Sequence, residues 1–204
     1  DFTSGKLNAD KKNVVVIGGG DTAMDCVRTA IRQGAKSVTC LYRRDRANMP
    51  GSQREVANAE EEGVKFDWLA APLSVAEKKG GGAKAVRAVR MRLGPPDASG
   101  RQAPEEIAES DYDVKADMVI KALGFDPEDL PAHFSEQSLA VNRWGGVKID
   151  YRTMMTPMEG VFAAGDIVRG ASLVVWAIKE GRDAAASIDA YLRAKAAASR
   201  IAAE

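Results

Sequence analysis

A short glycine-rich turn is the part of this sequence best suited to binding chemistry. Gly18, Gly20 and Ala23 follow the apolar residues 14–17 in a G-x-G-x-x-A spacing. Such glycines allow a tight turn and the close approach of a pyrophosphate, while the helix that follows offers free N–H groups. The same turn could instead serve only to pack a strand against a helix. The residues predicted to bind a dinucleotide are Gly18, Gly19, Gly20, Asp21, Thr22 and Ala23.

Arginines that follow the next predicted strand indicate which dinucleotide. The strand, Ser37–Tyr42, leads into Arg43 and Arg44, and Arg46 lies in the same turn. In a β-α-β unit this position faces the adenine ribose, where a carboxylate suits the 2′-hydroxyl of NAD and a guanidinium suits the 2′-phosphate of NADP. The arginines therefore favour NADP. Asp45 keeps NAD open, and an ordinary solvated basic turn is the other interpretation.

The elements that must position these residues follow an α/β pattern. Ser52 and Glu55 form an S-x-x-E capping box, which predicts a helix that runs through Glu62 and ends at Gly63. Residues 64–69 are then predicted to form a third strand. The first part of the chain is thus predicted to be a β-α-β-α-β core.

The segment after that core has the pattern of antiparallel strands. Alternating apolar residues lie on either side of a glycine-rich turn at 80–82, and a proline-rich loop is predicted at 95–100. The apolar residues 118–120 then lead to Gly124. A parallel core with a small meander and a returning strand is a layout typical of nucleotide-binding domains.

A second glycine turn lies near the end of the chain. Residues 160–164 are predicted to form a short strand that closes on Gly165 and Asp166, and the apolar run 173–178 is predicted to enter a buried helix. The alanine-rich tail, 184–204, is predicted to be a surface helix. This turn would offer another helix N-terminus to a ligand.

The composition excludes several classes of protein. The 204 residues carry no formal net charge, which gives no general attraction to nucleic acid, and no apolar run reaches membrane-spanning length. The first residues lack the features of a secretion signal, so the chain is interpreted as cytoplasmic. Cys26 and Cys40 are expected in the core rather than in a disulfide, and no metal site is predicted. His133 is expected at the surface.

Together the motifs resemble those of the small subunit of NADPH-dependent glutamate synthase, a family of the two-dinucleotide-binding flavoproteins, over its C-terminal half. The segments that carry the resemblance are VIGGGDTAMDCVR at 16–28, LYRR at 41–44, NMPG at 48–51, ALGF at 122–125 and AGDIVRG at 164–170. It implies that the first motif holds the pyrophosphate of NADPH and that the paired arginines face its 2′-phosphate. It also implies an α/β, Rossmann-like NADPH-binding domain and the C-terminal part of an FAD-binding domain.

The resemblance assigns further residues to FAD. Gly124 would line the crossing between the NADPH and FAD domains, and Gly165 and Asp166 would contact the ribityl and phosphate region. The N–H groups of Val174 and Val175 would face the pyrimidine edge of the isoalloxazine, where negative charge develops on reduction. The nicotinamide and flavin rings carry the hydride transfer, so no catalytic residue is predicted.

The resemblance also predicts domains and partners. Residues 8–128 would form the NADPH-binding domain, and 129–204 would be the returning segment of an incomplete FAD-binding domain. The cysteine-rich iron–sulfur segments and the FAD-binding glycines of the family are absent from this sequence. The chain is therefore expected to be truncated and inactive alone, with FAD bound in the intact protein together with an N-terminal segment and a large subunit that makes glutamate. Exposure of 173–178 would favour self-association.

Two other functions remain open. The chain could be a non-catalytic NADP-binding module that uses the nucleotide for stability or sensing. It could also be the NADPH half of a related reductase, similar to dihydropyrimidine dehydrogenase or ferredoxin reductase. A thioredoxin reductase is disfavoured because the sequence contains no C-x-x-C motif.

Overall fold

The structure is a computed structural model, and it describes residues 5–98 and 100–201. The chain divides into two compact units between Gly124 and Phe125. Parts of three sequence predictions, at residues 1–4, Ser99 and 202–204, lie outside the described residues. No helix within the described ranges is both long enough and apolar enough to cross a membrane.

The first unit is built on a parallel sheet whose strands lie in the order Lys65–Trp68, Ser37–Tyr42, Asn13–Ile17 and Met118–Lys121. This arrangement, with helices between the strands, confirms the predicted α/β fold class with a Rossmann-like sheet. The elements of this layer are β1 Asn13–Ile17, α1 Asp21–Arg32, β2 Ser37–Tyr42, α2 Gln53–Glu61, β3 Lys65–Trp68 and β8 Met118–Lys121.

The central strand β1 is buried on both faces, as a parallel strand between two layers must be. Val14 and Val16 pack into the cluster formed with the helices, which includes Met24 and Val27 of α1. Their neighbours on the opposite face of β1 pack into a second cluster with Val86. The alternation follows from the two-residue period of a strand, so the apolar run that precedes the glycines is explained by burial alone.

A second, antiparallel sheet lies in the same unit. Its strands are β4 Ala70–Glu77, β5 Ala83–Pro96, β6 Gln102–Glu106 and β7 Tyr112–Lys115, and β5 pairs with each of the other three. The predicted loop at 95–100 was wrong at its start, since Pro95 and Pro96 belong to β5. Pro96 pairs with Gln102, which extends the β5–β6 hairpin beyond the point that the prolines suggested.

Helix α2 begins where it was predicted, but the capping box was wrong. Ser52 is the N-cap residue, and its side chain makes no capping hydrogen bond. The carboxylate of Glu55 instead accepts a hydrogen bond from Arg28 of α1. Arg28 and Arg32 both donate to Glu62, and these bonds lower the pKa of Glu62 to about 2. Glu55 of α2 and Glu62, its C-cap residue, therefore tie the two helices together.

The second unit holds α3 Leu130–His133, α4 Asp166–Arg169 and α5 Val174–Ile201. Two predictions were wrong here. Residues 160–164 form no strand, because their ladder is reduced to a single bridge between Met155 and Phe162. The apolar run 173–178 is exposed rather than buried, because α5 presents it to solvent. The predicted helical tail is confirmed as far as Ile201.

Candidate functional site

A cleft of about 760 Å³ lies at the carboxyl ends of the parallel strands in the first unit. The described residues that line it include no aspartate or glutamate. It brings together many of the predicted site residues with others that the sequence did not single out. The lining residues are Ile17, Gly18, Gly19, Gly20, Thr22, Leu41, Tyr42, Arg43, Arg44, Asn48, Pro50, Ala70, Ala71, Pro72, Arg101, Ala122, Leu123 and Gly124.

The three glycines of the turn have different roles. A Cβ on Gly18 would lie 2.2 Å from the carbonyl oxygen of Ala122, and the φ of Gly18 is +146°. A Cβ on Gly19 would lie 2.3 Å from the ring of Tyr42. These two positions need glycine for the fold itself. A Cβ on Gly20 would meet no atom within 4 Å, so the space beside Gly20 is open to a ligand.

The start of α1 presents a group of free backbone donors. Within the described ranges, the N–H groups of Gly19, Gly20, Asp21 and Thr22 have no acceptor. The carbonyl oxygen of Gly19, in contrast, accepts a 2.9 Å hydrogen bond from the N–H of Gly51. Free amides and the positive end of the helix dipole make this turn an anion-binding site.

Contacts from β2 and the following loop hold the turn in place. The Cys40 thiol lies 3.4 Å from the carbonyl oxygen of Gly18, to which it donates, and burial raises its pKa to about 12. The Asp21 carboxylate accepts a 3.0 Å hydrogen bond from the N–H of Ser52. Asp21 thus anchors the loop rather than lining the cleft, and Ala23 lies on the buried face of α1, in the core.

Two guanidinium groups from this loop lie in the cleft. Arg44 donates a 2.8 Å hydrogen bond to the side-chain oxygen of Asn48. Its Nε is buried and has no partner in the described part of the chain. Arg43 is exposed, and no acceptor for its side chain lies among the described residues. A buried donor without an acceptor is uncommon in folded proteins, so an anionic ligand fits this position.

The other charged residues of the loop have protein partners. Arg46 lies 2.9 Å from Glu60 of α2 and does not line the cleft. One carboxylate oxygen of Asp45 accepts two hydrogen bonds from Asn48, at 2.9 and 2.7 Å. Asp45 therefore closes its own turn and does not line the cleft. To bind the 2′-hydroxyl of NAD, its carboxylate would have to face the ribose.

Sequence reasoning missed Arg101, which lines the cleft from the β5–β6 hairpin. It is about 60 positions from the paired arginines, and no local motif marks it. Sequence reasoning also gave no role to the Tyr42 ring, which fills the space beside Gly19, or to the Tyr42 hydroxyl, which donates to the backbone oxygen of Asn48 at 3.1 Å.

In the second unit, the buried carboxylate of Glu180, paired with the exposed Arg169, fixes the predicted Gly165–Asp166 turn. Gly165 has φ +79° and caps α4, and its N–H donates a 2.9 Å hydrogen bond to Glu180. Arg169 donates to the same carboxylate at 2.5 Å. Burial alone would raise the pKa of Glu180, which is only 4% exposed, but the bonds from Arg169 and Gly165 outweigh it and lower the pKa. Sequence reasoning also missed Glu180.

The predicted Val174 and Val175 lie at the start of α5. Their N–H groups have no acceptor in the described ranges, since the first backbone bonds of the helix come from the N–H groups of Trp176 and Ala177 to Leu173. The side chains of Val174 and Val175 are 72% and 65% exposed. These amides are therefore free donors beside an exposed apolar surface.

The described ranges contain no group of three or more His, Cys, Asp or Glu placed to hold a metal ion. His133 is exposed, and its ring lies 3.9 Å from the carboxylate of Glu128.

The sequence matches known proteins over nearly its whole length. A family model described as pyridine nucleotide-disulphide oxidoreductase matches residues 2–181. The chain is 66% identical over 197 residues to the glutamate synthase [NADPH] small chain of Azospirillum brasilense, a match that covers 97% of this chain and 40% of that protein. It is 42% identical to the NADP(+)-dependent formate dehydrogenase subunit beta of Moorella thermoacetica, with 92% of this chain and 27% of that protein covered.

The fold also matches solved structures. One is FprA of Mycobacterium tuberculosis in complex with NADPH, with a TM-score of 0.70 at 16% identity, over 98% of this chain and 56% of that one. The chain thus spans well under two thirds of the length of the proteins that it matches.

Proposed function

Because the chain belongs to the pyridine nucleotide-disulphide oxidoreductase family, we propose that its first unit binds NADPH and provides the hydride donor of a glutamate synthase-type enzyme. One observation carries this proposal: free amides at the start of α1 and two arginines lie in a single cleft whose described lining includes no carboxylate. A dinucleotide that carries both a pyrophosphate and a 2′-phosphate matches this arrangement.

Each part of the nucleotide has a proposed set of contacts. The pyrophosphate takes the N–H groups from Gly19 to Thr22, where the open space beside Gly20 lets it approach the backbone. The 2′-phosphate takes the guanidinium groups of Arg43 and Arg44. The Nε of Arg44, for which the described residues offer no partner, supports this assignment, because a phosphate oxygen would complete its hydrogen bonding. Since Asp45 is bonded to Asn48, we propose NADP rather than NAD.

For the second unit we propose a contribution to an FAD site. The amides of Val174 and Val175, which have no acceptor in the described ranges, suit a flavin edge. The resemblance of the AGDIVRG segment assigns the ribityl and phosphate groups to Gly165 and Asp166. When bound, FAD would accept the hydride that NADPH donates. The residues of this chain would bind and orient the two molecules, so none of them is assigned a proton-transfer role.

The full protein is proposed to contain more than this chain. Its relatives are longer, and an N-terminal segment with the remaining FAD and iron–sulfur sites would supply the path to a large, glutamate-forming subunit in the cytoplasm. A second candidate is the NADPH half of a different reductase, which the similarity to a formate dehydrogenase subunit favours. In both candidates the NADPH unit is the same, and only the electron acceptor differs.

Calorimetric titration of the purified chain with NADPH and with NADH, after an absorbance scan for flavin, tests the proposal. We expect saturable binding of NADPH and at least tenfold weaker binding of NADH, since one charge-assisted contact contributes at least about 1.4 kcal/mol. Equal affinities would contradict the 2′-phosphate assignment, and no binding of either nucleotide would contradict the proposal. Co-purification of the full-length protein then distinguishes the two candidate acceptors.

A further inference from the structure

Arg101 has a fixed backbone and a free side chain. Hydrogen bonds among the described residues help to close the turn that joins β5 to β6: the Asp97 N–H donates to the Arg101 oxygen at 2.9 Å, the Arg101 N–H to the Asp97 carboxylate at 3.0 Å, and the Gly100 N–H to the Asp97 oxygen at 2.8 Å. The Arg101 guanidinium has no acceptor in the described part of the chain. The hairpin therefore holds a cation that has no partner among the described residues.

This guanidinium lies in the same cleft as Arg43 and Arg44. With no aspartate or glutamate among the described lining residues, the cleft holds three permanent positive charges, to which the start of α1 adds the positive end of its dipole. Like charges raise one another's free energy at short range, and an anion removes that cost. The cleft is thus matched to a ligand of several negative charges.

The chain links the hairpin to the arginine loop. The N–H of Leu69 donates to the backbone oxygen of Arg44 at 3.1 Å, and the N–H of Met91 on β5 donates to the oxygen of Leu69 at 2.7 Å. The strand that carries the hairpin is therefore bonded, through one residue, to the backbone of Arg44. The N–H groups at the start of α1 lie at the glycine turn, which is not the loop that carries Arg44.

We infer that Arg101 binds the 2′-phosphate of NADPH and is a third residue that selects NADPH over NADH. The inference rests on the proposed function. The α1 turn already offers several N–H donors to the pyrophosphate, whereas a 2′-phosphate carries about two negative charges, and Arg44 shares its guanidinium with Asn48. A third guanidinium supplies the missing donors in the forked geometry that phosphate prefers.

Titration of the chain with NADPH and NADH tests the inference with three variants. Arg101→Ala is expected to weaken NADPH binding about tenfold or more, and to change NADH binding by less than about twofold. Arg101→Lys is expected to recover part of the loss, since it keeps the charge without the fork. Arg92→Ala is the matched control, because Arg92 lies on the same hairpin, pairs with Glu105 at 3.1 Å and does not line the cleft.

The outcomes separate this inference from the proposed function. Suppose that the unchanged chain prefers NADPH and that Arg101→Ala binds both nucleotides with the affinities of the unchanged chain. The role inferred for Arg101 is then refuted, while the proposed function stands. An equal loss for both nucleotides, or an equal loss in Arg92→Ala, also overturns the selective role. If the unchanged chain binds neither nucleotide, the proposed function and the inference fail together. Circular dichroism of each variant checks that the exposed substitutions leave the fold intact.

Discussion

The N-termini of α1 and α5 offer the same backbone chemistry in different surroundings. In the described ranges, both helices begin with N–H groups that have no acceptor, around Gly20 in one unit and at Val174 and Val175 in the other. Around Gly20, loops of the same unit supply arginines and enclose a cleft of about 760 Å³. At the start of α5, the neighbouring apolar side chains lie open to solvent.

This difference shows what turns a helix N-terminus into a specific site. Free amides attract an anion, but selection among anions needs further charges at fixed distances, and fixed distances need a supporting fold. The first unit provides all of these within its own residues. In the second unit, the described contacts fix the Gly165 turn through Glu180 and leave the start of α5 exposed.

The largest expected effect on stability distinguishes Gly18, which packs against Ala122, from Gly20, which faces the space proposed for the ligand. Gly18→Val places a Cβ against the Ala122 carbonyl, so we expect it to cost at least about 3 kcal/mol in the free energy of unfolding and to abolish the site. A Cβ at Gly20 would meet no atom of the described residues within 4 Å, so Gly20→Val is expected to change the free energy of unfolding by no more than about 1 kcal/mol while both nucleotides bind much more weakly. Urea unfolding and calorimetry measure the two effects.

The two glycine variants also test whether the turn binds a ligand at all. Unchanged nucleotide binding in a folded Gly20→Val protein would mean that the turn only packs the strand against α1. Gly20→Ala, with a smaller side chain, is the graded control: its loss of affinity is expected to be less than that of the valine variant.

The next effect concerns the choice of nucleotide. The double variant Arg43→Ala, Arg44→Ala is expected to weaken NADPH binding by about 2–4 kcal/mol, the value of two charge-assisted contacts, and to leave NADH binding nearly unchanged. Calorimetry with both nucleotides measures it. Arg46→Ala serves as the control, because Arg46 pairs with Glu60 outside the cleft. Equal losses for NADPH and NADH would exclude the 2′-phosphate contact.

In the second unit, the ion pair at the Gly165 turn predicts a pH-dependent effect. Glu180→Gln is expected to lower the free energy of unfolding by about 2 kcal/mol at pH 7, because it removes the charge that Arg169 and Gly165 contact. The folded-state pKa of Glu180 is lowered, so this stabilisation is full above the unfolded pKa, near 4.5, and is lost as the pH falls through the folded-state value.

Unfolding experiments at pH 7 and pH 3 measure how much Glu180 contributes to the free energy of unfolding and in which direction that contribution changes with pH. The difference in free energy of unfolding between the unchanged chain and Glu180→Gln should be smaller at pH 3. A larger difference at pH 3 would refute a stabilising role for the ionised carboxylate of Glu180. Glu128→Gln, at an exposed carboxylate, should show little effect at pH 7.

How much the sequence could predict depended on whether the determinants were local. The strand Ser37–Tyr42 has the predicted bounds because its apolar pattern and its flanking turn lie within a few residues. Glu55 misled the capping prediction, because its partner Arg28 lies on another helix. The strand predicted at 160–164 is not formed, and only a single bridge joins Phe162 to Met155. The apolar residues of 160–164 did not indicate which segment they would pair with.

The candidate site divides in the same way. The glycine spacing located the turn, but only the fold revealed that Gly18 and Gly19 are required for packing and that Gly20 is free. The paired arginines were predicted from their place after β2. Arg101 could not be predicted, because a hairpin in another sheet brings it to the cleft.

The smallest expected effect on stability concerns the exposed start of α5. The triple variant Val174→Ser, Val175→Ser, Ile178→Ser removes side chains that are 57–72% exposed. Each change is expected to alter the free energy of unfolding by less than about 0.5 kcal/mol, because little burial is lost. A larger loss would mean that this surface is covered in solution.

The same variant tests the predicted self-association, because a contiguous exposed apolar surface favours contact with a second copy. Light scattering is expected to give the unchanged chain a mass above its 21.8 kDa monomer and the triple variant a mass close to it. Leu192→Ser, at an exposed leucine farther along α5, is the control and should retain the higher mass. An unchanged chain that is monomeric would show the self-association prediction to be wrong, and the free amides of α5 would then remain open to a flavin or to another segment of the full-length protein.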